Sequence, residues 1–205
     1  MSGIFVTFEG PDGSGKSTIA EMVYENLKDQ YSIIRTREPG GTEISEKIRD
    51  LILDTANVEM TSRTEALLYA ASRAQHVEEK IVPALESGVT VLCERFVLSS
   101  IAYQGYGRGL GEESIVMINE FATGGIKPDI VFLFDVGDNA SENRKIKLGG
   151  DRLETSGDLF HSRVRSAYEE LSKRDKFYVI DATKSIEEVF NSCMEVLKAK
   201  LEENI

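Results

Sequence analysis

No run of apolar residues in this sequence is long enough to cross a bilayer, and its first residues lack the charged-then-apolar pattern of a secretion signal. A cytoplasmic location is therefore expected. Cysteine is scarce: Cys93 and Cys193 are the only two, both in apolar surroundings and without metal-ligand spacing. They read as small core residues of a reducing compartment, which excludes a disulfide scaffold. Basic residues are in the minority, 24 Lys and Arg against 35 Asp and Glu, for a net charge of −11. A generic nucleic-acid or anionic-membrane binder would show the opposite balance, because phosphate backbones reward a basic surface. Any cations that meet phosphate must be a local concentration within an acidic molecule. Repeats, low-complexity tracts and linkers are missing as well. At 205 residues, 41% hydrophobic and 29% charged, residues 1–205 are expected to be one domain with a sizeable core.

What is present begins with Gly10, Pro11, Asp12, Gly13, Ser14, Gly15, Lys16, Ser17 and Thr18, which fit the phosphate-binding pattern G-x-x-x-x-G-K-[ST]. The apolar run Ile4–Phe8 before it suits a buried parallel strand. Ile19, Met22, Val23 and Leu27 after it recur at helical spacing, predicting a helix from Lys16 to about Asp29. Gly10, Gly13 and Gly15 let the backbone curl so that several N–H groups face one anion, and the helix start adds its positive end. Lys16 would reach the β- and γ-phosphates, and the Ser17 hydroxyl would sit on Mg²⁺. The plainer alternative is a glycine-rich turn capped by Ser17.

Further along, Ser32–Thr36, Val89–Cys93, Ile130–Phe134 and Phe177–Ile180 read as strands. Between them, helices are expected after Thr42 with Ile44, Ile48, Leu51 and Ile52 as the apolar stripe, and over 62–86. In the second, Leu67, Leu68, Ala71, Ile81 and Leu85 would face inward and Pro83 would kink or divide the helix. Gln104 to Gly111 reads as a glycine-punctuated loop before a helix over Glu112–Thr123. Helices near 139–147, 158–173 and 185–202 complete the chain. Strands alternating with helices predict an α/β fold: a parallel sheet of about five strands, wrapped by helices on both faces in the three layers of a P-loop NTPase. Ligands in such sheets bind beyond the carboxyl ends of the strands. The P-loop, the Arg37-Glu38-Pro39-Gly40-Gly41 turn and Glu94-Arg95 all fall there.

Arg95 at the end of a buried strand is costly unless it meets an anion, and its planar fork suits a second phosphate. An ion pair with Glu94 or Asp12 is the alternative. Glu94 follows an apolar run where a carboxylate can hold Mg²⁺ through water, and Asp135 competes for that role. Tyr69, Arg73 and His76 share one helix face, near Tyr103 and Gln104 in the expected loop. An aromatic, a guanidinium and an amide could sandwich and hydrogen-bond a planar base. For His76 a satisfied core histidine is the preferred reading. Between Asp138 and Arg152, the residues Arg144, Lys145, Lys147 and Arg152 surround Gly149-Gly150. A basic helix with a glycine hinge fits a lid over transferring phosphates, with a solvated basic face as the alternative.

Taken together these stretches resemble a bacterial thymidylate kinase over nearly the whole chain. The resemblance rests on Phe8-Glu9-Gly10 leading into the P-loop, Thr36 to Thr42, Leu68 to His76, and above all Glu94-Arg95-Phe96 followed by Ser99 to Gly105. It implies ATP as phosphoryl donor, dTMP as acceptor and Mg²⁺ as cofactor, in a homodimer with no nucleic-acid or membrane partner. By the same resemblance Asp12 would touch the sugar 3′-hydroxyl and Arg95 would hold the acceptor phosphate. Arg73 would hydrogen-bond thymine, Tyr69 would stack on it, and Tyr103 would crowd the 2′ position. Ser100 and Gln104 would address the pyrimidine edge, with Glu38 and Pro39 also at the substrate. The P-loop has Gly13 where some members carry arginine, so the lid would supply the catalytic arginine, Arg144 or Arg152. Two departures stand out: Glu94 where the family usually has Asp, and Tyr69 where it usually has Phe. A guanine-nucleotide switch is disfavoured because the sequence has no Asn-Lys-x-Asp motif.

Overall fold

The computed structural model describes residues 2–137, 150–174 and 176–203. Five strands form one parallel sheet: β1 (Phe5–Glu9), β2 (Ile33–Arg37), β3 (Thr90–Glu94), β4 (Ile130–Asp135) and β5 (Tyr178–Asp181), in the order β2-β3-β1-β4-β5. The central strand β1 pairs on both sides, Val6 lying opposite Leu92 and Ile130. Period-two alternation then divides its side chains between two cores. Val6 and Phe8, with Leu92, Phe132 and Phe134, face α1 (Lys16–Leu27) and α8 (Ile186–Glu203). On the opposite face Phe5, Val91, Cys93 and Leu133 pack under the remaining helices. Cys93 and Cys193 are both buried free thiols.

That second layer contains α2 (Glu43–Leu53), α3 (Ser62–His76), α4 (Val82–Glu86), the short α5 (Val97–Ser100), α6 (Glu112–Thr123) and α7 (Asp158–Ser172). Its details correct several expectations. On α2, Ile52 is fully buried, whereas Ile44 and Leu51 are about half exposed. On α3, Leu67 and Ala71 point outward, and the inward face is Glu65, Ala66, Ala70, Arg73 and His76. The long helix does not break: the backbone stays right-handed through a π-helical stretch Val77–Ile81 into α4, and Pro83 is accommodated where the wider turn meets α4. Gln104 is not in a loop: Ile101–Gly107 is a π-helical stretch continuing α5. The glycine there serves close packing, since a Cβ on Gly107 would lie 2.7 Å from Phe160 and 2.9 Å from Val164 of α7. The segment expected as a helix at 139–147 lies outside the described residues.

Candidate active site

All five strands run the same way and end in a charged residue, Glu9, Arg37, Glu94, Asp135 and Asp181. The turns beyond those ends enclose a cleft of about 240 Å³. Lys16 and Ser17 form one end of its lining; Tyr69, Arg73, Ser100 and Gln104 form the other; Asp12, Glu94, Arg95 and Tyr103 lie between. Three sequence clusters far apart in the chain thus meet in one place.

At the first end, α1 starts directly after Gly15, which adopts a left-handed conformation with no side-chain cap. The first-turn N–H groups are therefore not closed off by a capping residue, contrary to the Ser17-capped alternative. Gly10 has φ +147°, and a Cβ there would come within 3.0 Å of Phe134 on β4. The loop can lie this close to the sheet because it has no side chain at that point. Lys16 is buried, and its Nζ donates to the Pro11 carbonyl at 3.1 Å. Burial, and then the Arg95 charge, push its ammonium down to about 7 against the pull of Asp12, Glu9 and Glu94. The buried Ser14 Oγ has no hydrogen-bond partner among the described residues. A buried lysine with a lowered pKa, a partnerless hydroxyl and an uncapped helix start together fit a polyphosphate anion.

Arg95 sits at φ 64°, unusual for a residue with a side chain, and so turns back over the cleft. Its NH2 donates to Asp12 Oδ1 at 2.6 Å and Tyr103 Oη at 3.2 Å, and its NH1 to Ser99 Oγ at 3.0 Å. The Tyr103 hydroxyl donates to the other Asp12 oxygen at 2.7 Å. Of the two ion-pair alternatives for Arg95, Asp12 is the partner. Burial would raise the Asp12 carboxyl, but Arg95 and Lys16 outweigh it and hold it well below the usual range. The support beneath Arg95 was missed from sequence. Glu9, buried at the end of β1, accepts from Ser99 Oγ at 2.5 Å and the Phe96 N–H at 2.8 Å, and Tyr168 of α7 lies 3.0 Å from the same Ser99 oxygen. Glu9 lies in the run Phe8-Glu9-Gly10, but nothing in its spacing announces that role.

Glu94 lines the cleft and accepts from Arg35 at 2.9 Å, not from Arg95. Its competitor Asp135 accepts from the Gly137 N–H and is not part of the cleft lining. Ser17 and Glu94 both line this cleft and offer a hydroxyl and a carboxylate of the hard-oxygen type that magnesium prefers; Asp12 and Asp151 are further carboxylates on the same lining.

The other end is a buried polar wall. Arg73 is 2% exposed; its Nε donates to Glu38 at 2.6 Å, and its NH1 to Ser100 at 3.0 Å and to Asn119. The second Glu38 oxygen meets His76 Nδ1 at 3.0 Å, and His76 Nε2 meets Thr36 at 2.7 Å. His76 is thus a satisfied core residue. Pro39 follows Glu38 through a cis peptide and also lines the cleft; its carbonyl accepts from Arg49. Glu38, His76 and Cys93 bring ligand-type atoms within 4.8 Å of one another. Glu38 and His76 already satisfy each other and their neighbours, and burial, then Glu38, push the Cys93 thiol well up. That chemistry is of a hydrogen-bonded core, not a metal centre. Tyr69 stands half-buried over the cleft, its phenol pushed up by burial and by Glu65.

Arg152 departs from the lid expectation. It is 8% exposed, its Nε donates to the Ile52 carbonyl at 2.7 Å, and its NH2 to Glu65 at 2.7 Å. Its neighbours Asp151 and Leu153 line the cleft; Arg152 does not. Arg144 lies outside the described residues.

The family model for thymidylate kinase matches residues 8–193. The chain belongs to the thymidylate kinase family. Members of this family phosphorylate dTMP to dTDP with ATP. A thymidylate kinase of Finegoldia magna is 58% identical over 200 residues, covering 96% of this chain and 98% of that protein. One from Lactobacillus helveticus is 49% identical, covering 99% of each. Among solved structures, a thymidylate kinase from Ehrlichia chaffeensis has a TM-score of 0.78 at 32% identity, covering 97% of this chain and 99% of that one. No helix among the described residues is long and apolar enough to cross a membrane.

Proposed function

We propose that this chain carries out its family's reaction as an in-line transfer of the γ-phosphoryl group of ATP to the phosphate of dTMP, with Mg²⁺ at Ser17 and Glu94. The observation that carries this reading is a cleft that joins two separate cationic sites, Lys16 on the P-loop and Arg95 just after β3, with Arg37, Arg49 and Arg73 also on its lining. A single nucleotide needs one such clamp; two suit a donor and an acceptor phosphate. Catalysis then comes from positioning and charge stabilisation, and no general base is required because the acceptor is already an anion. Lys16 and the loop N–H groups hold the donor, Arg95 orients the acceptor phosphate, and Asp12 meets the sugar 3′-hydroxyl. Tyr103 crowds the 2′ position, Tyr69 stacks on the base, and Arg73, Ser100 and Gln104 read its edge. Magnesium, when bound, draws phosphate oxygens together and offsets their charge. Arg144 remains our choice for the lid arginine.

The unit comprises residues 1–205, acts in the cytoplasm and forms a homodimer. Exposed apolar side chains on neighbouring helices support the dimer: Leu67 on α3, and Met117 and Phe121 on α6, the last 91% exposed. Light scattering of the pure protein tests it, and a monomer at micromolar concentration overturns it. ADP release measured with and without dTMP, and with dUMP, CMP and thymidine as competing acceptors, tests the reaction. Release that ignores dTMP would overturn the proposed acceptor.

A further inference from the structure

Below the acceptor wall, Glu65 of α3 is 0% exposed and joins three elements. Its Oε1 accepts from Gln104 Nε2 at 3.0 Å, and its Oε2 from Arg108 NH2 at 2.9 Å and Arg152 NH2 at 2.7 Å. Arg108 in turn donates to Ser156 at 2.9 Å and lies 4.2 Å over the Phe160 ring. Burial would raise the Glu65 carboxyl, but Arg108, Gln104 and Arg152 outweigh it and keep it lowered, hence ionised. An ionised carboxylate only accepts, so it can be satisfied by just one end of the Gln104 amide, the NH₂. The two faces of an amide differ only in which end points where, and the hydrogen-bond network decides it. With its nitrogen committed to Glu65, Gln104 turns its carbonyl oxygen away from that carboxylate, and Gln104 lines the cleft while being 1% exposed.

We propose that Glu65 is a positioning residue for base selection: by fixing the Gln104 amide it presents the cleft with an acceptor, which suits a pyrimidine carrying an N3–H donor and opposes one whose N3 is itself an acceptor. Thymine and uracil have that donor; cytosine does not. A buried acceptor that faces another acceptor is left unpaired, and such mismatches discriminate more strongly than a change of shape. The inference rests on the dTMP reading above.

The test compares kcat/KM for dTMP and for 5-methyl-dCMP, which keeps the methyl group and changes only the N3–C4 edge. In Glu65→Gln the new amide can donate or accept, so Gln104 is free to turn. The preference for dTMP is expected to fall about tenfold, through KM more than kcat, because the contact is made equally in the ground and transition states. A merely structural role would raise both KM values in proportion, and an unchanged ratio overturns the proposal. Whether or not that variant folds, the wild-type protein gives an independent reading by NMR. The side-chain NH₂ of Gln104, assigned by its loss in Gln104→Leu, should exchange with solvent at least tenfold more slowly than that of exposed Gln30. It should also stay at its shifted position when dTMP binds. Fast exchange, or a dTMP-induced move to an ordinary amide position, overturns the proposal. Wild-type enzyme that ignores dTMP would instead overturn the acceptor reading itself.

Discussion

At the end of the cleft proposed for the donor the surface is mostly backbone, with glycines, an uncapped helix start and one buried lysine. At the acceptor end it consists of side chains that already hold one another. Arg73, Glu38, His76 and Thr36 form an unbroken line of contacts, and Arg95 is gripped by Asp12, Ser99 and Tyr103. Among the described residues Lys16 has a carbonyl as its hydrogen-bond partner, with the charges of Arg95, Asp12, Glu9 and Glu94 around it, and Ser14 Oγ has no partner. The side-chain wall is thus organised during folding, which suits the selection among similar bases proposed for it. The P-loop retains groups left over for a ligand, which suits the polyphosphate proposed for it.

Substitutions should separate the two ends. The largest effect is expected from Glu38→Gln, which leaves the buried Arg73 guanidinium facing a neutral partner. It should cost about 3 kcal/mol of stability, the low end for breaking a buried pair, and raise the dTMP KM. The same change at Glu46, whose pair with Arg37 is exposed on both sides, should cost under about 1 kcal/mol. Denaturant midpoints for the two variants check the contrast, and equal losses would show that burying the Glu38–Arg73 pair adds nothing to the wall.

Lys16→Ala should do the reverse: the protein stays folded while turnover falls roughly a hundredfold or more, because the ammonium contributes to charge stabilisation and little to the core. Single-turnover kinetics beside a melting curve would show it, and near-normal turnover would remove the loop from the mechanism. Glu94→Gln comes next. Losing a charge-assisted contact of about 1.5 kcal/mol should cost roughly tenfold in rate and raise the magnesium requirement. A variant that matches wild type in both would leave Glu94 only as the partner of Arg35.

The smallest effect is a pH dependence of the nucleotide-free protein. The Lys16 ammonium sits at about 7 in the fold against 10.5 for an ordinary lysine. Below about pH 7 the lysine is charged in both states, and the folded state bears the whole penalty. Between about 7 and 10.5 the unfolded chain binds more protons, so stability rises with pH. Lys16→Met should therefore melt higher than wild type at pH 6, by an order of a few degrees, and the gap should close towards pH 10. A constant gap would mean that Lys16 is not titrating in this window.

How legible this was from the sequence depended on which force placed each residue. Strands of Val, Ile, Leu and Phe declared themselves, each placed within a residue or two, because burial on both faces leaves a continuous apolar run. The P-loop declared itself because curling around an anion requires glycine. Helix α3 did not. Its hydrophobic spacing put Leu67 inward, whereas Leu67 is 58% exposed and the buried face carries Glu65, Arg73 and His76. Apolar periodicity cannot detect a face buried through ion pairs. The recurrence of Glu65, Tyr69, Arg73 and His76 at spacings of three and four was a usable sign, and only its last three members were recognised. Arg152 was placed in a lid from the basic run, its glycine hinge and the family resemblance, but Glu65, 87 positions away, holds it. The glycines between Gln104 and Gly111 suggested a loop, yet the first part of that stretch is helical.

The missing side chain at Gly107 therefore does more than permit a turn. It sets a zero clearance between the helical stretch that carries Tyr103 and Gln104 and the side of α7 formed by Phe160 and Val164. One turn further along α7 is Tyr168, whose hydroxyl meets Ser99 beside Arg95. The two helices are geared together like meshed teeth, so neither can advance or roll without carrying the other. One extra methyl group at position 107 would act as a wedge whose far end is the guanidinium of Arg95.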